Sequence, residues 1–283
     1  MPNAVPQVTE ANYFDPDLRM PYMSVSQYKD FAGHEGCEAR ALATIRGEWK
    51  RPGKGVFVVG HYVEMSVTGD PNFPAFCEEN KIHIYNKDGK KKRAEFVTAD
   101  RCVSRLRNTP EAMMFIAGSH VQHEVPLSGM IDGVLWKGLA DFLIESMKTV
   151  TDLKAMKDFS RAWIIRMVDG EKRNVKVGWY EPYKYPFQLW LYGKLLCQMY
   201  GWEEEDLRRV LIGVTKQTPC ALRCLLFSEL ERLDLYAEKF LLKLPRVQAV
   251  KRGDAEPTYC RSNDCAYCRE HAPFKLINAD VEI

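Results

Sequence analysis

The sequence has almost no charge imbalance: 40 Lys and Arg residues stand against 38 Asp and Glu, leaving a formal net charge of +2. No uniformly basic surface is expected, so nucleic-acid contact would have to come from a local patch or from bound cations. No apolar run approaches membrane-spanning length. The opening residues, Met1-Pro2-Asn3-Ala4-Val5-Pro6-Gln7, have neither the basic stretch nor the apolar core of a secretory leader. No leader and no membrane contact are therefore expected, and a cytoplasmic location is. With 18 Gly and 15 Pro the chain is not collagen-like or low-complexity. It shows no internal repeat and no base-reading motif. None of its six histidines falls in a Ser/His or Cys/His arrangement for covalent catalysis.

What is present suits a globular protein. The 283 residues are 46% hydrophobic and 28% charged, enough for one large or two small domains with a real core. Residues 1–22 are Pro-rich and aperiodic and read as a loose arm, residues 23–250 as the main domain and residues 251–283 as a Cys-rich tail packed on it. Residues 24–50 have a largely helical pattern with Ser24 as a cap, and residues 51–55 break it. An apolar segment over 56–67 suits a buried helix. Residues 81–96 read as a hairpin turning at Asn86-Lys87-Asp88-Gly89, and 99–107 and 110–115 as helices. Segments 120–126, 130–136, 138–146 and 150–155 alternate as strands do. A helix over 185–200 ends at Gly201. Strands are expected at 210–215 and 223–228, then one long amphipathic helix over 229–250.

Nine cysteines is an odd number for a disulfide framework. Cys77, Cys102, Cys197, Cys220 and Cys224 read as small buried hydrophobes. Cys260, Cys265 and Cys268, by contrast, stand at C-x4-C-x2-C spacing, which points to a metal or cluster site. His271 would complete a local zinc site.

Three pieces carry chemistry: Gly138-Leu139-Ala140-Asp141, Thr151-Asp152-Leu153-Lys154, and Gln188 to Tyr192. Residues two apart on a strand share a face, so Asp152 and Lys154 point together while Leu153 points to the core. Asp141 and Asp152, on neighbouring strands, bring two carboxylates together, an arrangement suited to a hard divalent ion such as Mg²⁺. Lys154 would then face the attacking water or the developing phosphorane charge. Gln188 and Tyr192, at i and i+4, share one helix face. Taken alone, an Asp-x-Lys is a common surface ion pair; the joint pattern raises it. Candidate phosphate contacts are Lys90, Lys91, Lys92 and Arg93, more simply read as a soluble turn, and Lys50, Arg51 and Lys54.

In these pieces, and in Gly36-Cys37-Glu38-Ala39, Gly60-His61-Tyr62-Val63-Glu64, residues 245–250 and residues 264–268, the sequence resembles the PD-(D/E)xK nuclease superfamily. Within it the likeness is to RecB-type nucleases and the phage and prophage exonucleases related to exodeoxyribonuclease VIII (RecE-type). The resemblance covers about residues 24–268. It implies an α/β fold with a mixed central sheet flanked by helices. It implies Asp141 and Asp152 as metal carboxylates for Mg²⁺ or Mn²⁺, Lys154 as the motif lysine, and Gln188 and Tyr192 as the helix motif near the bound strand. Where many relatives have a metal-binding His, this chain has Glu64, with His61 three residues earlier. Glu124 is a further carboxylate before the site. Some relatives hold a 4Fe-4S cluster on one upstream and three downstream cysteines, which implies Cys37, Cys260, Cys265 and Cys268, with zinc as the alternative. The resemblance also implies 5′-to-3′ degradation from duplex DNA ends, a homo-oligomer, and a co-operating single-strand annealing protein. The other readings are a nuclease-like fold that binds DNA or a partner without catalysis, and a related nuclease of a defence or CRISPR-adaptation system.

Overall fold

The computed structural model describes residues 6–33, 35–50, 55–168, 171–260 and 265–273, and the side chains of 55–57 and 166–168 are outside it. The breaker at 51–55, the phosphate candidates Arg51 and Lys54, and Asp264 lie wholly or largely outside the described residues. In order, the elements are α1 (Val25–Ala32), α2 (Glu38–Ile45), α3 (Gly55–Thr68), α4 (Phe73–Glu79), α5 (Lys81–Ile84), α6 (Ala94–Arg107) and α7 (Pro110–Met113). There follow β1 (Gln122–Ile131), β2 (Val134–Ile144), β3 (Thr149–Met156), β4 (Ala162–Val168), β5 (Glu171–Val177), α8 (Tyr185–Tyr200), β6 (Arg208–Thr215), β7 (Leu222–Leu226), α9 (Leu230–Leu241), α10 (Leu244–Arg252) and α11 (Ala266–His271). This is a mixed α/β fold. The chain divides into two compact units: Gln7–Tyr13 with Pro52–Phe240, and Met1–Pro6 with Phe14–Arg51 and Leu241–Ile283.

The larger unit is built on a five-stranded sheet in the order β1-β2-β3-β6-β7, in which only β3 and β6 run parallel. One core forms where Val59, Tyr62 and Val63 of α3 and Phe96, Val103 and Leu106 of α6 meet Phe142, Ile144, Leu153 and Ile212 of the sheet. α8 packs against β1, β2, β3 and β6, with Trp136 of β2 on Phe187 at 6.0 Å between ring centroids. Gly138 also faces this helix. A Cβ there would stand 2.6 Å from the buried ring of Tyr192.

Trp136 and Gly138 thus face α8, while Phe142 and Ile144 face α3 and α6, although all four are even-numbered. β2 turns its side over between Gly138 and Phe142. At the same step the β1–β2 ladder is interrupted at Glu124, opposite Asp141, and Glu124 carries a left-handed φ of +48°. A non-glycine residue in that region is a local cost held by its surroundings.

Several sequence expectations change here. Residues 120–144 make two strands rather than three segments, because the turn is Asp132-Gly133, both with positive φ, a two-residue hairpin connection. Residues 81–96 keep the turn at 86–89, with Gly89 at φ +69° and a single bridge from Tyr85 to Lys92, but not the hairpin. A helical turn there buries Ile84 and leaves Ile82 exposed, and Arg93 donates to the carbonyls of Tyr85 and Ile82. Lys92 is tied to Asp100 at 2.7 Å. The helix expected over 229–250 is two helices, since Pro245 sits in the first turn of α10 and cannot continue α9. Cys224 is exposed on the edge strand β7 rather than buried.

The smaller unit gathers α1, α2, α10 and α11. Ser24 caps α1, accepting from the Gln27 amide. In the described part of the N-terminal arm Leu18 and Tyr22 are buried, and the Tyr22 carbonyl accepts from the buried ammonium of Lys251. Glu38 accepts from Arg246 at 2.8 Å and from the amide and hydroxyl of Thr258, each at 2.9 Å.

Gly138→Ala is expected to destabilise the fold by about 1–3 kcal/mol, because the Tyr192 ring it would strike is buried and its hydroxyl is held by the Leu139 carbonyl. Gly60→Ala is the control: it lies exposed within α3 with nothing near its would-be Cβ, and should be neutral or stabilising by up to about 1 kcal/mol. Urea unfolding of the two variants measures both.

Candidate active site and cysteine cluster

The β2–β3 ladder stops at Phe142 opposite Thr151. Beyond it the strands part, and the Leu153 amide has no backbone partner across the gap. The Asp141 carboxylate takes its place, accepting from that amide at 2.9 Å. The parting thus converts a backbone ladder position into a side-chain site. Leu153 packs into the core, and the residues on either side of it point the other way. The Lys154 ammonium stands 2.8 Å from Asp152 and 3.2 Å from Asp141. Asp152 is fully buried; Lys154 and Asp141 are largely so.

The helix α8 completes the arrangement from above. Gln188 donates to Asp152 at 2.8 Å and to the Tyr192 hydroxyl at 2.9 Å, and that hydroxyl donates to the Leu139 carbonyl at 2.7 Å. Tyr185 places its ring 5.7 Å from the Lys154 ammonium, a contact not singled out from sequence. Burial disfavours the charged ammonium, yet Asp141 and Asp152 together hold the Lys154 pKa well above its ordinary value.

Glu64 on α3 belongs to the same group of charges. Burial first, then the Asp141 carboxylate, pushes its carboxyl up to about 9, with Lys154 opposing and Glu124 and Asp152 adding. A carboxyl so placed takes up a proton unless a cation joins it. His61, its alternative, instead stacks on Phe76 at 6.4 Å. Glu64, Asp141 and Asp152 are hard oxygen donors of one charge, the donor chemistry that fits a divalent ion such as Mg²⁺. They are not gathered as closely as the cysteines are, and the ammonium bridges the two aspartates. Glu124 is exposed. Of the phosphate candidates, Lys92 and Arg93 are engaged internally, while Lys50, Lys90 and Lys91 are exposed.

The smaller unit holds a second group. The sulfurs of Cys37, Cys260, Cys265 and Cys268 all lie within 4.8 Å of one another. Cys37 precedes α2, and Cys268 sits in α11 with its sulfur 3.3 Å from that of Cys37. Cys265 caps α11, its sulfur accepting from the Cys268 amide. Burial opposes ionisation of Cys265, but that amide and the neighbouring thiols bring it down to about 7. Burial pushes the Cys37 thiol up. His271 is not in the group: its Nδ1 is 3.0 Å from the Tyr267 carbonyl, and its ring stacks on Tyr267. Four convergent soft donors fit zinc or an iron-sulfur cluster.

Residues 24–271 match the family model described as a PDDEXK-like domain of unknown function (DUF3799). The chain belongs to this PDDEXK-like family. The crystal structure of a protein from Eubacterium rectale named "Putative exonuclease" is similar, with a TM-score of 0.82, 26% identity, and 97% of each chain covered. No curated protein matches. The five-stranded mixed sheet with its flanking helices is the PDDEXK arrangement, and both likenesses support a nuclease. No helix among the described residues is long and apolar enough to cross a membrane.

Cys37→Ala is expected to strip the chain of bound iron or zinc in elemental analysis and to lower the unfolding midpoint by roughly 5 °C or more. His271→Ala should alter neither. Equal metal content in wild type and the Cys37 variant would separate Cys37 from the ligand set.

Proposed function

We propose that this chain is a metal-dependent DNA exonuclease that hydrolyses phosphodiester bonds from duplex ends, with a RecE-type, 5′-to-3′ action in phage-type recombination. The observation that carries the reading is the Lys154 ammonium held between Asp141 and Asp152 at the parted end of two strands. That grouping has the chemistry of phosphodiester hydrolysis and little use as a surface ion pair, since Asp152 is fully buried.

Glu64, Asp141 and Asp152 would hold Mg²⁺ or Mn²⁺. Such an ion, when bound, activates water and offsets phosphate charge. The chain's own groups do the rest. Lys154 stays protonated and sets a positive charge where the reacting phosphate gathers negative charge. The Leu153 amide and the ammonium orient the Asp141 carboxylate. Gln188 fixes Asp152, and Tyr192, anchored on the Leu139 carbonyl, fixes Gln188. No covalent nucleophile is required. The four cysteines are assigned to a 4Fe-4S cluster, with zinc as the alternative. Exposed lysines such as Lys90 and Lys91 suit sequence-independent contact with phosphates. A homo-oligomer, a single-strand annealing partner and a cytoplasmic setting accompany the RecE-type reading.

The test is end-labelled linear duplex against covalently closed circular DNA, each with Mg²⁺ and with EDTA. Linear DNA should be degraded only with Mg²⁺, and circles should survive. Asp141→Asn, Asp152→Asn and Lys154→Ala should each reduce cleavage by roughly a hundredfold or more while the protein stays folded. Near-normal cleavage by folded Asp152→Asn would remove the site assignment, and rapid cutting of circles would remove the exonuclease reading.

A further inference from the structure

The hairpin of β4 and β5 is a sheet of its own, paired from Ala162 opposite Val177 to Val168 opposite Glu171. Its two faces differ. On one, Ile164 lies opposite Val175 and both are half-buried; Glu171, on this face, is ion-paired with Arg173 at 3.1 Å. The other presents Trp163, 66% exposed, and Ile165, 65% exposed. Opposite these two stand Lys176 and Asn174, with Lys172 two residues on, all exposed. The Lys176 ammonium lies 5.9 Å from the Trp163 ring. Among the described residues this face carries no acidic side chain.

An exposed Trp and Ile side by side on a narrow hairpin is an expensive surface to leave in water, and the flanking lysines say what it suits. Isolated apolar residues need no explanation, but an aromatic ring framed by cations is the surface on which an unstacked base lies while its phosphates meet the ammonium groups. Inside a duplex the base faces are stacked on one another and only the outer face of a terminal pair is free, whereas every base of a single strand can offer its face.

The root of the hairpin ties this face to the reacting centre. Phe159 and Trp179, just outside the two strands, touch at 4.9 Å. Both rings pack over Gly213, where a Cβ would stand 2.7 Å from Phe159 and 2.8 Å from Trp179. Gly213 is the register partner of Lys154. Trp179 also lies 6.4 Å from Tyr185, whose ring sits by the Lys154 ammonium. Trp163 and Lys176 form the second pair from that root.

We propose that the exposed face of this hairpin binds single-stranded DNA, with a base stacked on Trp163 beside Ile165 and phosphates on Lys172 and Lys176. The proposal rests on the nuclease reading, since the hairpin springs from beside Lys154 and an enzyme that degrades one strand from an end leaves another unpaired.

The experiment is fluorescence anisotropy with a labelled oligo(dT) of about 20 nucleotides and the full-length protein in EDTA, so that nothing is cut. Wild type should bind. Trp163→Ala should bind oligo(dT) about tenfold more weakly, and Trp163→Phe, which keeps a stacking ring, within about threefold of wild type. Lys172→Gln with Lys176→Gln should lower the slope of log affinity against log salt by roughly 1.4. Binding of a blunt duplex should be unchanged in Trp163→Ala. Wild-type affinity for oligo(dT) in Trp163→Ala, or equal loss for oligo(dT) and duplex, would overturn the proposal. A wild-type chain that cuts duplex with Mg²⁺ but does not bind oligo(dT) would defeat this inference alone; one that neither cuts nor binds would defeat the nuclease reading with it.

Discussion

The parting of β2 and β3 after Phe142 is the constraint on which the rest of the site depends. Up to that point the two strands satisfy each other's backbone groups. Past it, the Leu153 amide needs an acceptor, and the Asp141 carboxylate supplies one. A buried amide left without a partner costs about 1–3 kcal/mol, so Asp141 is structurally required before any chemistry is considered. Satisfying Leu153 also fixes where Asp141 points, and with it the place of Lys154. On the far side, the reversal of β2 and the left-handed Glu124 allow one strand to serve two layers: Trp136 under α8, Phe142 under α3 and α6.

The electrostatics follow from that geometry. Asp152 in full burial would be costly by itself, and Lys154 and Gln188 are what make its charge tolerable. Glu64 shows the opposite balance. It faces the same aspartates without a comparable partner, and burial with their repulsion favours its neutral form. The cluster therefore has three carboxyl groups, Glu64, Asp141 and Asp152, against the single ammonium of Lys154. Such an excess is a stability cost that a structural ion pair would not need, and it is the physical reason to read the group as a cation site rather than as packing.

Much of this was legible because it is local. Period-two alternation put Asp152 and Lys154 on one side and Leu153 on the other, and i, i+4 spacing put Gln188 and Tyr192 together; both hold. Where the reading failed, two signals were present and outweighed. Asp132-Gly133 is a hairpin turn in plain form, and Pro245 forbids a continuous helix through residue 245. Other features had no local signal. The turn Lys81–Ile84 is held by Arg93 reaching back eleven residues, so Ile82-His83-Ile84 alternated without being a strand. The β4–β5 hairpin buries little, and hydrophobic pattern finds elements by what they bury. Glu38 joins Arg246 and Thr258 across more than two hundred residues, a distance over which spacing carries no information.

The cysteines pose a different balance. In the smaller unit Cys37, Ala39 and Cys268 form a buried cluster with Cys260, Cys265 and Tyr267 packed around it, so sulfur takes the place that branched aliphatic side chains occupy elsewhere. α11 has six residues and α2 eight, too short for helices to hold themselves without tertiary support. Thiols pack well but bond weakly to one another, and one of the four already ionises near neutrality. Four thiolates on one metal centre would instead join α2 to α11 across 231 residues. Loop-closure entropy grows only slowly with loop length, so the great separation adds little beyond what a shorter link would give. The gain would lie in the unit itself: its described helices have nine residues or fewer, whereas the larger unit is built on a five-stranded sheet.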